Sequence, residues 1–453
     1  MGDDKLEYRS NTVLIFILIS WPTLGRIDRR IMQLELFDFN NLEEINRGTP
    51  QLVSFRDLVP EITSTSYLTH GIYYYPAKFI PQVVRFCLDN YTKKDDWIID
   101  PFAGSGTVGL EAKLCQRNAV LTDLNYLLNH IIPIKITEHQ EPLSYSELDK
   151  KILEVFASKD KFIPQWSNLN YWYPEEILAV LQKLWAGQKS LEPDLYSQII
   201  QAVLVKVSKQ FSYAEHTKPK LFQSKYKKSH IQELLERDWQ GELKQTIKEM
   251  SFETLTSVNQ YINATLHNHN QVLFYGGVDS ATFEINKDIE LDCLISSPPY
   301  LQAQEYIRTA KLDLYWLGYT EKEVQKISKL EIPYRQATRL IETETLNQVR
   351  SSLEKENLHK ILDSYFCHTI NALENATRKL KQAGKACIFV GNPKVDGVEV
   401  ETWRILKEYF QENGFIFNTV FEDRIKTRQL FKSRKNKNPD GMKSEYLLIL
   451  EKR

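Results

Sequence analysis

Cysteine is scarce and scattered: five residues in 453, at positions 87, 115, 293, 367 and 387. No C-x-x-C pair and no Cys/His cluster at zinc spacing occurs, which excludes a disulfide framework and a structural zinc centre, leaves no metal site to expect, and argues for a reducing compartment. Net charge is also missing. At −1 overall, no global field draws the chain to a polyanion, and any nucleic-acid surface has to be a local patch. Long apolar runs are absent as well. Val13–Trp21 is apolar but only nine residues long, well short of the roughly 20 that span a bilayer. Its upstream flank is more acidic than basic, the wrong charge for a secretory signal. No membrane partner is expected. There are no internal repeats and no low-complexity tract.

What is present reads as an ordinary globular protein, 42% apolar and 26% charged, with length for two or three domains. A second methionine opens "MQLELFDF" at Met32; translation is expected to begin there, within an N-terminal extension over 1–50. Periodicity predicts seven strands: Trp97–Asp100, Ala119–Thr122, Gln271–Phe274, Asp292–Ile295, Ala386–Val390, Phe415–Phe421 and Glu445–Leu450. The first two flank the helical stretch "GTVGLEAKLCQ", a βαβ unit that implies a parallel sheet and a right-handed crossover. The last two are spaced to pair antiparallel. Helical patterns interrupt the series twice. One insertion, 137–270, contains a helix starting at Pro174-Glu175-Glu176 and another over Leu195–Val207. The other, roughly 305–383, is helical and charged. The expected organisation is an α/β core in two parts, 51–136 and 271–453, around a large helical insertion.

Two stretches carry chemistry. Asp100–Thr107 reads "DPFAGSGT" between a strand and a helix. Gly104 and Gly106 let the backbone turn tightly and lie against a ligand, and the helix start beneath presents free N–H groups. The stretch lacks the G-K-[ST] of a P-loop and the third glycine of the dinucleotide fingerprint. One strand later, Asp123 stands where a carboxylate grips a ribose diol. The second stretch is Asp292–Tyr300, "DCLISSPPY". Pro298 and Pro299 have no N–H to donate and fix their own φ, so they end a strand and stiffen the loop beyond it. That loop offers the Ser297 hydroxyl, the Pro298 carbonyl and the Tyr300 ring.

Together these stretches resemble the S-adenosylmethionine-dependent amino-group DNA methyltransferases, which pair a D-P-F-x-G-S-G-T motif with an [S/D/N]-P-P-[Y/F/W] loop. His70–Pro81, "HGIYYYPAKFIP", is similar to the family's segment around the methionine end of the cofactor. The likeness covers about 65–135 and 270–450 and leaves out the insertion. It implies a Rossmann-like, seven-stranded methyltransferase core, with the insertion as target-recognition domain, S-adenosylmethionine as cofactor and double-stranded DNA as partner. Residue by residue, it implies a cofactor site of Tyr75, Pro76, Lys78, Asp100, Pro101, Phe102, Gly104, Ser105, Gly106, Thr107 and Asp123. Asp279 of "YGGVDS" is the candidate for the adenine, although it follows the insertion. The catalytic loop would be Ser297, Pro298, Pro299 and Tyr300.

The chemistry fits those residue types. An exocyclic base amine has its lone pair delocalised into the ring, and acceptors on its N–H groups make it more nucleophilic and aim it. An aromatic ring stacks on a base flipped out of the duplex. In the family, Ser at the first loop position goes with cytosine N4, and Asp or Asn with adenine N6. Ser297 therefore implies cytosine N4, with adenine N6 and RNA or tRNA guanine N2 as alternatives. Cytosine C5 methylation needs a cysteine that follows a proline in its own family, and none of the five does. A non-enzymatic alternative, a DNA-binding protein on a vestigial cofactor fold, predicts no cofactor binding. The resemblance further implies a bacterial-type cytoplasmic, nucleoid-associated enzyme with a cognate restriction endonuclease.

Two basic stretches are candidate phosphate tracks. Val205–Lys228 holds seven lysines against one glutamate, with aromatics interleaved, and Arg424–Lys443 holds eight basic residues against Asp440. A charge run is usually a solvated face, but two of them in a nearly neutral chain point to phosphate contacts. Gln33–Phe37, "QLELF", resembles the peptide that docks on the bacterial sliding clamp.

Overall fold

A computed structural model describes residues 48–76, 78–215, 221–301, 305–425 and 442–453. The Met32 start, the Gln33–Phe37 peptide and most of the basic stretch Arg424–Lys443 lie outside them.

Strands that are apolar on both faces need cover on both sides, and that need shapes the fold. One sheet holds β1 (Gln51–Val53), β2 (Trp97–Asp100), β3 (Asn118–Asp123), β4 (Val272–Gly276), β5 (Leu291–Ser296), β6 (Leu380–Gly391), β7 (Phe415–Arg424) and β8 (Ser444–Lys452). The order across it is β1-β7-β8-β6-β5-β2-β3-β4. All neighbours are parallel except β8, which runs antiparallel to both β6 and β7. β2 to β8 are the seven runs expected from periodicity. β1 makes the sheet eight-stranded rather than seven-stranded; three residues at an edge are too few for a period to show. β6 begins at Leu380 rather than Ala386. Its polar first half pairs with β5 across a register irregularity, so no apolar pattern marks it.

The longer helices of the first core part are α1 (Pro81–Tyr91), with proline in its first turn, and α2 (Thr107–Leu114). The insertion contributes α3 (Tyr145–Ala157), α4 (Glu175–Ser190), α5 (Leu195–Gln210), α6 (Lys225–Leu235) and α7 (Trp239–Ala264). Pro174 sits at the N-cap of α4 with two glutamates in its first turn, which complements the helix dipole. Asp194 and Ser197 form a reciprocal capping box on α5, at 2.8 and 3.0 Å. After the Ser297–Tyr300 loop come α8 (Tyr306–Leu317), α9 (Glu321–Ser328), α10 (Glu344–Ser351) and α11 (Glu356–Thr377), and later α12 (Thr402–Glu412).

Alternate strand residues go to opposite layers. Ile98, Cys293 and Cys387 pack with Val84 and Leu88 of α1 and Val108 of α2. Ile99, Leu294 and Ile388 pack with Phe366 and Ile370 of α11 and Trp403 of α12. A third apolar cluster joins the insertion to α8: Trp185 and Trp316 are fully buried and stacked with centroids 5.7 Å apart. Among the described residues, no helix is long and apolar enough to cross a membrane.

Strand order reverses at β2: β3 and β4 lie to one side, β5 and β6 to the other. The crevice at the carboxyl ends of strands beside such a switch point is where α/β sheets take ligands.

Candidate active site

The loops leaving β2 and β5 are tied at their roots. Asp100 ends β2, fully buried, and its Oδ1 accepts the Phe102 N–H at 3.0 Å and the Ser296 hydroxyl at 2.6 Å. Ser296 is the last residue of β5. Burial pushes the Asp100 carboxyl up to about 7 even against those two donors. From Asp100 the chain turns through Gly104 at φ +49° and Gly106 at φ +74°, both left-handed. A Cβ on Gly106 would stand 3.1 Å from Ile132. Asp123, at the end of β3, accepts the Gly104 N–H at 2.9 Å and the Asn125 N–H at 2.8 Å. It thus holds the glycine turn as well as facing the space above it. Lys135, fully buried, donates to the Ser105 carbonyl from below.

These loops open onto a cavity of about 360 Å³, within the roughly 300–1,000 Å³ of small-molecule sites. Tyr75, Lys78, Pro101, Phe102, Gly104, Ser105, Asp123, Asp279, Ser297, Pro299 and Tyr300 all line it. Asp100, Gly106, Thr107 and Pro298 do not, and Pro76 lines a smaller neighbouring cavity with Tyr73, Tyr74 and Lys209. Lys78 donates to the carbonyls of Thr65 at 2.5 Å and His70 at 3.0 Å, so its ammonium clamps its own segment. Burial brings it down to about 8. Tyr300 turns its hydroxyl to Glu445 at 2.7 Å, which anchors the ring from β8. Asp279 forms an ion pair with Arg335 at 2.9 Å.

A family model described as DNA methylase matches residues 29–132, the span that holds His70–Pro81, the glycine turn and Asp123. The Type II methyltransferase M.BsoBI of Geobacillus stearothermophilus is 24% identical, across 80% of this chain and 81% of its own length. These matches support an amino-group DNA methyltransferase family for the chain. Two further Type II methyltransferases match shorter stretches. M.MjaII of Methanocaldococcus jannaschii is 28% identical across 32% of this chain and 28% of its own; M.AvaI of Nostoc sp. is 24% identical across 27% and 30%.

Methyltransferases of this family draw the methyl group from S-adenosylmethionine, and the cavity's residues suit that molecule. The left-handed turn at Gly104 lets backbone lie against it. The carboxylate of Asp123 and aromatic faces converge on the same space.

The segment before α1 is pinned to the helix under the glycine turn. Glu111 of α2 is fully buried and accepts the His70 Nε2–H at 2.7 Å, Arg85 through two nitrogens at 3.1 and 2.7 Å, and the Tyr67 hydroxyl. Burial pushes this carboxyl up, but the donors from His70 and Arg85 outweigh it and hold it below its ordinary value. Burial lowers His70 to about 4, so the ring is neutral and donates to an ionised Glu111.

Sequence patterns single out Ser297 and pass over Ser296, whose role depends on a partner 196 positions away. They also pass over the far wall of the cavity. Tyr306, Glu331, Arg335 and Tyr365 come from the second insertion, whose helical periodicity marks an apolar face but not what that face meets.

Proposed function

We propose that this methyltransferase modifies the exocyclic N4 amine of cytosine within a specific sequence of double-stranded DNA. It would act in the cytoplasm as the modification half of a restriction system with a cognate endonuclease. The observation that carries this reading is that the Ser297–Tyr300 loop and the glycine turn share one cavity, joined by the Ser296–Asp100 hydrogen bond. Ser297 as the loop's first residue favours cytosine, and the Type II methyltransferases that it resembles favour the restriction setting.

S-adenosylmethionine, when bound, supplies an electrophilic methyl group on a sulfonium. Asp123 would accept from the ribose, and Asp279, oriented by Arg335, from the adenine amine. Tyr75, Pro76 and Lys78 would surround the methionine end. Asp100, Pro101, Phe102, Ser105, Gly106 and Thr107 shape the turn that carries Gly104. Ser297 Oγ and the Pro298 carbonyl accept the two N–H groups of the target amine, which enriches and aims the nitrogen. Tyr300 stacks on the flipped base. The displaced proton leaves to water, so no base of unusual pKa is needed.

The insertion would recognise the target. Within its basic stretch, Lys228 stands over the rings of Tyr171 and Tyr213 at 5.8 and 5.7 Å and is suited to phosphate. Lys227 is not, because it is buried and donates to the Gln210 carbonyl at 2.6 Å.

Methylome sequencing of DNA from cells expressing the protein tests the proposal. N4-methylcytosine at one short sequence is expected. Methyl groups on adenine, or on RNA alone, would overturn the base assignment. No modification together with no S-adenosylmethionine binding by titration calorimetry would favour a non-enzymatic DNA-binding protein.

A further inference from the structure

Glu331 is a carboxylate of the cavity wall that the proposed function leaves unused. It lies just past α9 and is only 8% exposed. Its Oε1 accepts the Ile307 N–H at 3.0 Å, at the start of α8, and the Tyr306 N–H also attracts the carboxylate. Its Oε2 is buried and has no hydrogen-bond partner among the described residues. A buried carboxylate oxygen without a donor is costly, and a donor arriving from outside the protein removes that cost.

The surroundings narrow down the donor. Tyr75 and Tyr306 stack nearly parallel beside it, with centroids 5.5 Å apart and planes 7° from each other. The charges of both Asp123 and Glu331 act on both of these phenols. Two carboxylates, one from β3 and one from the second insertion, therefore line the same cavity. They repel each other there unless a group with two donors joins them. A vicinal diol is such a group.

We propose that Glu331 is a second ribose-binding carboxylate: Oε2 accepts one hydroxyl of the cofactor ribose while Asp123 accepts the other. This deepens the cofactor site proposed above and rests on it. It also gives the second insertion a role, since α8 and α9 would hold a residue that closes over the cofactor. The competing role for Glu331 is structural, as a support for the start of α8 through Ile307.

Glu331→Gln separates the two roles. Its amide oxygen still accepts the Ile307 N–H, while an NH₂ group replaces the free oxygen. Calorimetry on the full chain would compare S-adenosylhomocysteine with its 2′,3′-dideoxy analogue. The substitution is expected to weaken S-adenosylhomocysteine about tenfold, leave the dideoxy analogue within about twofold of wild type, and leave the melting temperature nearly unchanged. Equal weakening of both ligands, or of neither, would overturn the proposal. Wild-type protein that binds no S-adenosylhomocysteine would overturn the cofactor reading beneath it, a result easily told from the others.

Discussion

Ser296 and Ser297 are neighbours with opposite surroundings, because successive residues at a strand end face opposite ways. Ser296 is fully buried on Asp100, while Ser297 lines the cavity. Asp100 makes a pH prediction possible. Its folded pKa, about 7, lies above the ordinary 3.8, so the fold favours the protonated form. The resulting stability is present in full below about pH 4 and is lost as pH rises towards 7. Relative to wild type, Asp100→Asn should therefore gain stability across that window, on the order of 4 kcal/mol at most. Urea denaturation of both proteins at pH 5 and 7 measures the difference, and a pH-independent difference would contradict the buried-acid account. Tyr300 makes a second prediction. If its ring matters by stacking and its hydroxyl only anchors it to Glu445, Tyr300→Phe should keep kcat within a few-fold. Tyr300→Ala should lose about 10- to 100-fold, the size of one base–aromatic stack. Methyl transfer to a duplex oligonucleotide would measure both.

Among the elements, α2 does the most to connect parts of the site. Its N-terminus follows the glycine turn, and its Glu111 collects His70 and Arg85 from the preceding segment and α1. Removing one member of a buried ionic network leaves the others unpaired. Glu111→Gln is expected to cost about 3 kcal/mol of stability and to weaken S-adenosylmethionine binding, although Glu111 bonds to Tyr67, His70 and Arg85 rather than to residues proposed to hold the cofactor. Thermal denaturation and calorimetry would report the two effects. Gly106→Ala should fail differently. Its φ of +74° and the 3.1 Å approach of Ile132 strain any side chain there, so the turn and cofactor affinity suffer with a modest loss of stability, about 1 kcal/mol or more. The glycines were legible in the sequence because a left-handed turn is a local requirement. Glu111 was not: it reads as a helical glutamate until the fold brings Arg85 to it.

For the molecule as a whole, residues 47–453 form one compact unit. The insertion's apolar cluster includes Ile72, Leu127 and Ile131 from the core and Tyr315 and Trp316 from α8, so its interior is not its own. We expect a single calorimetric transition for the described unit and no independent folding of a 137–270 fragment; a separate, reversible transition for that fragment would contradict this. Trp316→Ala, which removes the stack on Trp185 and the hydrogen bond to the Tyr173 hydroxyl at 2.7 Å, should cost about 3–5 kcal/mol. By itself the sequence determined the seven principal strands, the glycine turn, the rigid Pro298-Pro299 loop and Asp123 at a strand end. Each follows from short-range stereochemistry or from a two-residue period. Only the tertiary structure decided that Ser296 bonds Asp100, that Asp279 meets Arg335, and that Glu331 faces Asp123's cavity with an oxygen free. Those pairings join chain segments far apart in sequence, and helical periodicity states which face is buried without stating what lies across from it.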